Sequence, residues 1–180
     1  MSHPASPGPY ALAFPAPAFT LTSPDFSPGE ALPESAHATE HAPGASPALR
    51  WHGFSAEARS FVVTAFDPDA PIAGGLWHWL AKDVPGDVTA LEPDAGAPDD
   101  DTFPGVVLSN SLGVDGYSGV NPPPGTGRHR LYLCVTALSV ATLDTPPHVS
   151  PALLQILMLP HTVGRALLTG TSEAGDDRAA

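Results

Sequence analysis

Cysteine is almost absent from this chain: Cys134 stands alone among 180 residues. An internal disulfide is excluded, so packing and hydrogen bonds must hold the fold, and a reducing compartment fits this usage. Positive charge is also scarce. Seven Lys and Arg face 19 Asp and Glu, for a formal net charge of -12. That balance argues against nucleic acid or an anionic membrane surface as a general partner. Any anion bound here must be held by a local site working against the field of the whole protein. No run approaches the roughly 20 apolar residues of a membrane span. The opening Met-Ser-His-Pro-Ala-Ser-Pro-Gly lacks the basic and apolar regions of a secretion signal. A cytoplasmic protein without a membrane span is expected.

Glycine and proline, by contrast, are plentiful, at 17 and 23 residues. Both break helices, which excludes a bundle or a coiled coil. With 42% hydrophobic residues, the chain still has the material for a core, and a loop-rich β protein fits best. Residues 1–17 read as a flexible lead-in, 18–170 as one domain and 171–180 as a flexible acidic tail. Strands are expected near 19–22, 49–52, 61–67, 76–83, 105–110 and 131–140. The runs 61–66 and 131–137 are almost continuously apolar, as strands covered on both faces are. Two helices are expected late. One is capped by Ser150 with Pro151 in its first turn, and a second spans 161–168 and is closed by Gly170.

Chemistry concentrates in three places: Asp67-Pro68-Asp69-Ala70-Pro71, Trp77-His78-Trp79, and Gly127-Arg128-His129-Arg130. The two prolines stiffen the first turn. Alternation along a strand puts His78 on the face opposite Trp77 and Trp79. Taken singly, each has an ordinary structural explanation: a turn cap, a hydrogen-bonded core histidine, a connecting loop. The acidic stretch 92–101 reads as a solvated loop, and His37-x3-His41 with Glu40 as a loop rather than a metal site.

Together these segments resemble the phosphatidylethanolamine-binding protein family, which includes the Raf kinase inhibitor proteins, over about residues 19–170. The resemblance rests on D-P-D-A-P followed by W-H-W. It also rests on Gly116-Tyr117-Ser118-Gly119, Pro123-Pro124-Gly125 and His129-Arg130-Leu131. Ser23-Pro24 with Phe26, Gly29 and Pro33, and Ser46-Pro47-Ala48-Leu49-Arg50-Trp51, support it. The short loop 72–76 looks like the bacterial branch. Leu131 departs from the family's usual Tyr, and Val120-Asn121 stands where Gly-Pro is common.

The resemblance implies a mainly β fold, an antiparallel β-sandwich with Greek-key character and short C-terminal helices. It also implies a small pocket for phosphate or phosphoryl headgroups. Carried over residue by residue, Asp67, His78 and His129 line that pocket, with Asp69, Pro71, Trp79, Tyr117 and Arg130 shaping its wall. The partners implied are a phosphorylated small molecule or lipid headgroup, a protein such as a kinase, and a second copy of the chain. No catalysis and no cofactor are expected. The competing reading is a divalent-metal-dependent hydrolase using Asp67, Asp69, His78 and His129. Serine hydrolysis is not supported, because no G-x-S-x-G elbow exists.

Overall fold

The computed structural model describes residues 8–98 and 100–174. Its frame is two antiparallel sheets. The smaller pairs β1 (Thr20–Thr22) with β2 (Leu49–His52), and β2 with β5 (Ala90–Leu91). The larger has the order β6-β4-β3-β7-β8. Its strands are β3 (Ser60–Asp67), β4 (Leu76–Pro85), β6 (Val106–Leu108), β7 (Arg128–Leu138) and β8 (Thr162–Glu173).

β3 is buried along its whole length, because both faces of the sheet are covered. On one face Phe61, Val63 and Ala65 join Leu21, Leu49 and Trp51 of the smaller sheet in one core. On the other, Val62, Leu80 and Leu138 pack under the only α-helix among the described residues, α1 (Pro151–Met158), through Leu154 and Met158. The expected start of α1 is found: the Leu153 N–H donates to Ser150 Oγ at 3.2 Å, and Pro151 occupies the first turn.

The second expected helix does not form. Residues 162–173 are a strand, paired with β7 from Arg128↔Glu173 to Leu138↔Thr162. The cause is a period of two. Gly164, Ala166, Leu168, Gly170 and Ser172 are buried while the residues between them are more exposed, and the ladder with β7 overrides local helix propensity. Gly170 is therefore no helix cap. It lets Leu32 and Phe26 lie directly on the strand. Residues 171–173 of the expected tail belong to this strand, and 175–180 lie outside the described residues.

Residues 8–17, expected as a lead-in, lie on the outer face of the larger sheet. The Tyr10 hydroxyl approaches Thr64 Oγ1 at 3.5 Å, and an Arg165 Nη donates to the Phe14 carbonyl at 2.9 Å. Residues 1–7 lie outside the described residues.

Candidate functional site

β3 ends at Asp67, where the strand leaves the core and turns through Pro68 to Pro71. The Asp67 carboxylate holds that turn: its Oδ1 accepts from the Asp69 and Ala70 N–H groups at 2.8 and 3.0 Å. The other oxygen, Oδ2, lies 2.8 Å from His129 Nδ1, near the start of β7. Residues 62 positions apart in sequence thus form one buried pair, with 5% and 3% of their surfaces exposed.

The partners of His129 fix what each ring nitrogen faces. Its Nε2 lies 2.9 Å from Thr126 Oγ1, and that hydroxyl donates to the Pro123 carbonyl at 2.7 Å. A hydroxyl has one proton, so toward Nε2 it can only accept. With the hydroxyl so turned, both ring nitrogens face acceptors, the arrangement that suits an imidazolium against a carboxylate. Thr126 sits on an exposed loop between Gly125 and Gly127, both in the left-handed region that favours glycine.

His78 reaches the same place by a different route. Ala65 pairs with Trp79 and Phe66 with Trp77, so β4 carries one extra residue, His78, as a bulge. The expected alternation fails here for that reason. Trp79 enters the core between the sheets, whereas Trp77 stacks on Phe66 at 4.4 Å on the other face. The His78 ring lies against Tyr117, 6.5 Å between centroids, and its Nδ1–H donates to the Ser118 carbonyl at 2.7 Å. Its Nε2 is buried without a hydrogen-bond partner.

Burial pushes the His78 imidazole below its ordinary value of 6.5, against the opposing pull of the Ser118 carbonyl and the Asp67 charge. The sign follows directly. The unfolded chain takes up this proton at higher pH than the folded one, so stability is full above about 6.5 and falls as pH drops below it. His78→Gln should remove a slope of at most about 1.4 kcal/mol per pH unit, one proton's share. Urea midpoints from pH 5 to 8 check this, and identical slopes in both proteins would refute it.

Asp67, His78 and His129 line one cavity of about 430 Å³ together with Ala38, Ala70, Pro71, Ile72, Leu76, Leu112, Gly119, Asn121, Pro122 and Pro123. Apart from the three titratable groups, Asn121 and backbone, its wall is apolar. Gly119 has no room for a side chain, because a Cβ there would collide with the backbone of Ala38.

Four residues expected at this wall stand behind it. Asp69 is clamped by Arg130, whose Nε and Nη2 donate to its two oxygens at 2.7 Å each and whose backbone N–H adds a third bond. Those side-chain hydrogen bonds hold Asp69 below the usual carboxylate range. The pair ties the turn after β3 to the start of β7. Tyr117 donates its hydroxyl to the Ala36 carbonyl at 2.9 Å, and burial raises its phenol. Trp79 is fully buried in the core. Leu131, at the position of the family's usual Tyr, is also core, at 1% exposure.

The four-ligand metal set is not assembled, since Asp69 is committed to Arg130. Among the described residues no three of His, Cys, Asp and Glu are placed to hold a metal ion. His37 is likewise engaged at both nitrogens, by the Pro33 carbonyl and by Ser172.

Sequence reasoning missed Asn110 and Thr126. The buried Asn110 amide donates to the carbonyls of His78 and Gly116 and to Ser118 Oγ, and its carbonyl accepts from Leu112 and Val114 N–H. It fixes the two segments that orient His78. An Asn closing a strand before Gly-rich turns was the available signal.

The profile of the family described as phosphatidylethanolamine-binding protein matches residues 22–173. The Escherichia coli protein YbcL is 34% identical over 162 residues, 87% of this chain and 88% of its own. Its crystal structure, titled a member of the mammalian PEBP family, superimposes with a TM-score of 0.80 at 33% identity, covering 86% of this chain and 98% of that one. The Chlamydia trachomatis homologue CT736 gives 0.75 at 30% identity, with 88% and 99% covered. LppC of Mycobacterium tuberculosis, named as a lipoprotein, is 33% identical over 165 residues, 88% of this chain and 76% of its own. On the match across 22–173 and the shared fold, this chain belongs to the phosphatidylethanolamine-binding protein family.

Proposed function

We propose that the protein is a binding module for a small ligand bearing a phosphoryl group, held in the cavity of Asp67, His78 and His129. The observation that carries this reading is the convergence of three titratable side chains, each more than nine-tenths buried, on one otherwise apolar cavity. The Asp67–His129 pair supplies a cationic donor inside a protein of net charge -12. Thr126 Oγ faces His129 Nε2 from an exposed Gly-x-Gly loop, and a phosphoryl oxygen would take its place. Asp67 faces the imidazolium and the turn, with both oxygens engaged, so its charge is compensated before an anion arrives.

Binding is expected without catalysis. A hydrolase reading would need a metal or an activated nucleophile, and Asp69, which it requires, is spent on Arg130. A lipid headgroup, a phosphorylated metabolite and a phosphorylated residue on a protein such as a kinase all present the same chemistry. Competition between phosphoethanolamine and a phosphopeptide ranks them. The buried, unpaired Cys134 is compatible with the cytoplasm, whereas the relative LppC carries a lipoprotein name, and cell fractionation distinguishes the two. Sedimentation tests the second copy that the resemblance implies.

The test of the site is His129→Ala, titrated with phosphoethanolamine by calorimetry at pH 6 on protein shown by circular dichroism to be folded. A loss of about 1.5 to 3 kcal/mol is expected, the range for hydrogen bonds to charged groups. An unchanged isotherm would remove the phosphoryl site.

A further inference from the structure

His78 and His129 present opposite hydrogen-bonding characters to the same cavity. His129 faces an acceptor at each nitrogen: Nδ1 meets Asp67, and Nε2 is held only by the exposed Thr126 hydroxyl. His78 is the reverse. Its single ring proton is fixed on Nδ1 by the 2.7 Å bond to the Ser118 carbonyl, an acceptor that cannot be anything else. That leaves Nε2 as a bare lone pair, 97% of the residue being buried and the atom itself without a partner. A buried acceptor left unmade is costly, so a ligand that supplies a donor there recovers that cost.

We infer that His78 serves the ligand as an acceptor, so the pocket takes a phosphoryl group that keeps its own proton. One P–O–H donates to His78 Nε2, and one P–O⁻ accepts from His129 Nε2. This rests on the phosphoryl reading of the site above and specifies its ligand as the monoanion of a phosphate monoester. A sulfate has no hydrogen to give at neutral pH, and a phosphodiester has none either. Both would set an oxygen lone pair against the lone pair of His78.

The alternative is that His78 gains a second proton and becomes a donor. The groups facing it are the Asp67 carboxylate at the end of β3, the His129 imidazolium on β7 and the Tyr117 ring. The carboxylate favours a charged His78 and the imidazolium opposes it. Burial opposes a charge on His78 more strongly than the Ser118 carbonyl and the Asp67 carboxylate favour it, and so resists the second proton.

The experiment is calorimetric titration of the wild-type protein with methyl phosphate, dimethyl phosphate and sulfate at pH 5.5, 6.5 and 8. A phosphate monoester loses its second proton near pH 6. Methyl phosphate is therefore expected to bind at least tenfold more weakly at pH 8 than at 5.5. Dimethyl phosphate and sulfate should bind at least tenfold more weakly than methyl phosphate at pH 5.5. Sulfate does not titrate in this range, so its own pH profile isolates the protein's groups from the ligand's. Sulfate binding as tightly as methyl phosphate at pH 5.5 would overturn the inference while leaving an anion site in place. So would a methyl phosphate affinity that follows the sulfate profile. Binding of none of the three anions at any pH would instead remove the phosphoryl site itself, and the inference with it.

Discussion

Asp67→Ala should cost about 3 to 5 kcal/mol of stability, the penalty for removing one partner of a buried ion pair. The carboxylate has three bonds to lose. Two are the Asp69 and Ala70 N–H groups that shape the rigid turn, and the third is the His129 ring, left buried without its partner. For a chain of this length such a loss lowers Tm by on the order of 10 °C. Asp67→Asn should cost less, because its amide oxygen can still accept from the turn. The double variant Asp67→Ala, His129→Ala should be more stable than the sum of the single losses implies, since the ring left without its partner is gone as well. Chemical denaturation of the wild type, the three single variants and the double variant checks this. A loss below about 1 kcal/mol for Asp67→Ala would mean that the pair stabilises nothing.

Asn110→Ala is the second large effect, at about 3 kcal/mol. Its side chain makes five hydrogen bonds, and alanine leaves the Gly116 carbonyl and two N–H groups of the following turn without their partner, while the His78 carbonyl keeps only the Ser118 N–H. Each bond contributes about 1 kcal/mol net, and some regain water. The effect extends to binding. Ser118 supplies the carbonyl that fixes the His78 tautomer, and Asn110 holds Ser118 through its hydroxyl. Affinity for phosphoethanolamine should therefore fall as well, by tenfold or more, in protein that still folds at low temperature. Asn110→Asp, which keeps the acceptor for Leu112 and Val114 but loses the amide donors, should retain part of the stability and little of the affinity. Equal affinity in wild type and Asn110→Ala would separate this network from the site.

Most strands were legible because burial on both faces writes an apolar run into the sequence. β2 is found where a strand was expected, and β3 and β7 where continuous hydrophobicity placed them. β8 was misread since its inward positions are Gly, Ala, Leu, Gly and Ser, small residues that give no hydrophobic rhythm of their own. Only the neighbouring β7 and the weight of Leu32 and Phe26 explain them. Asp67, His78 and His129 were legible as a constellation through family resemblance. Their chemistry was not, because it depends on where protons lie. No spacing rule reveals that β4 bulges at His78, or that the Thr126 hydroxyl donates its hydrogen bond to the Pro123 carbonyl. Asp69 and Arg130 looked like ligand contacts for the same reason. Charge is visible in a sequence, but its being consumed by a partner is visible only in space.

The strand that closes the larger sheet also dictates the order in which the chain can finish folding. The N–H of Phe19 donates to the Arg165 carbonyl, that of Gly29 to Thr169 and that of Leu32 to Thr171. The Thr171 hydroxyl bonds the Glu30 carbonyl across 141 positions. Residues 19–32 are thus among the last that can settle, because their seat is β8. Contacts of such sequence separation carry a large loop-closure cost before any reward, so folding is slow relative to local folds of this size. During synthesis, an unclosed β7 edge with its apolar neighbours waits for residues near 170, and that interval is when this protein is most exposed to aggregation.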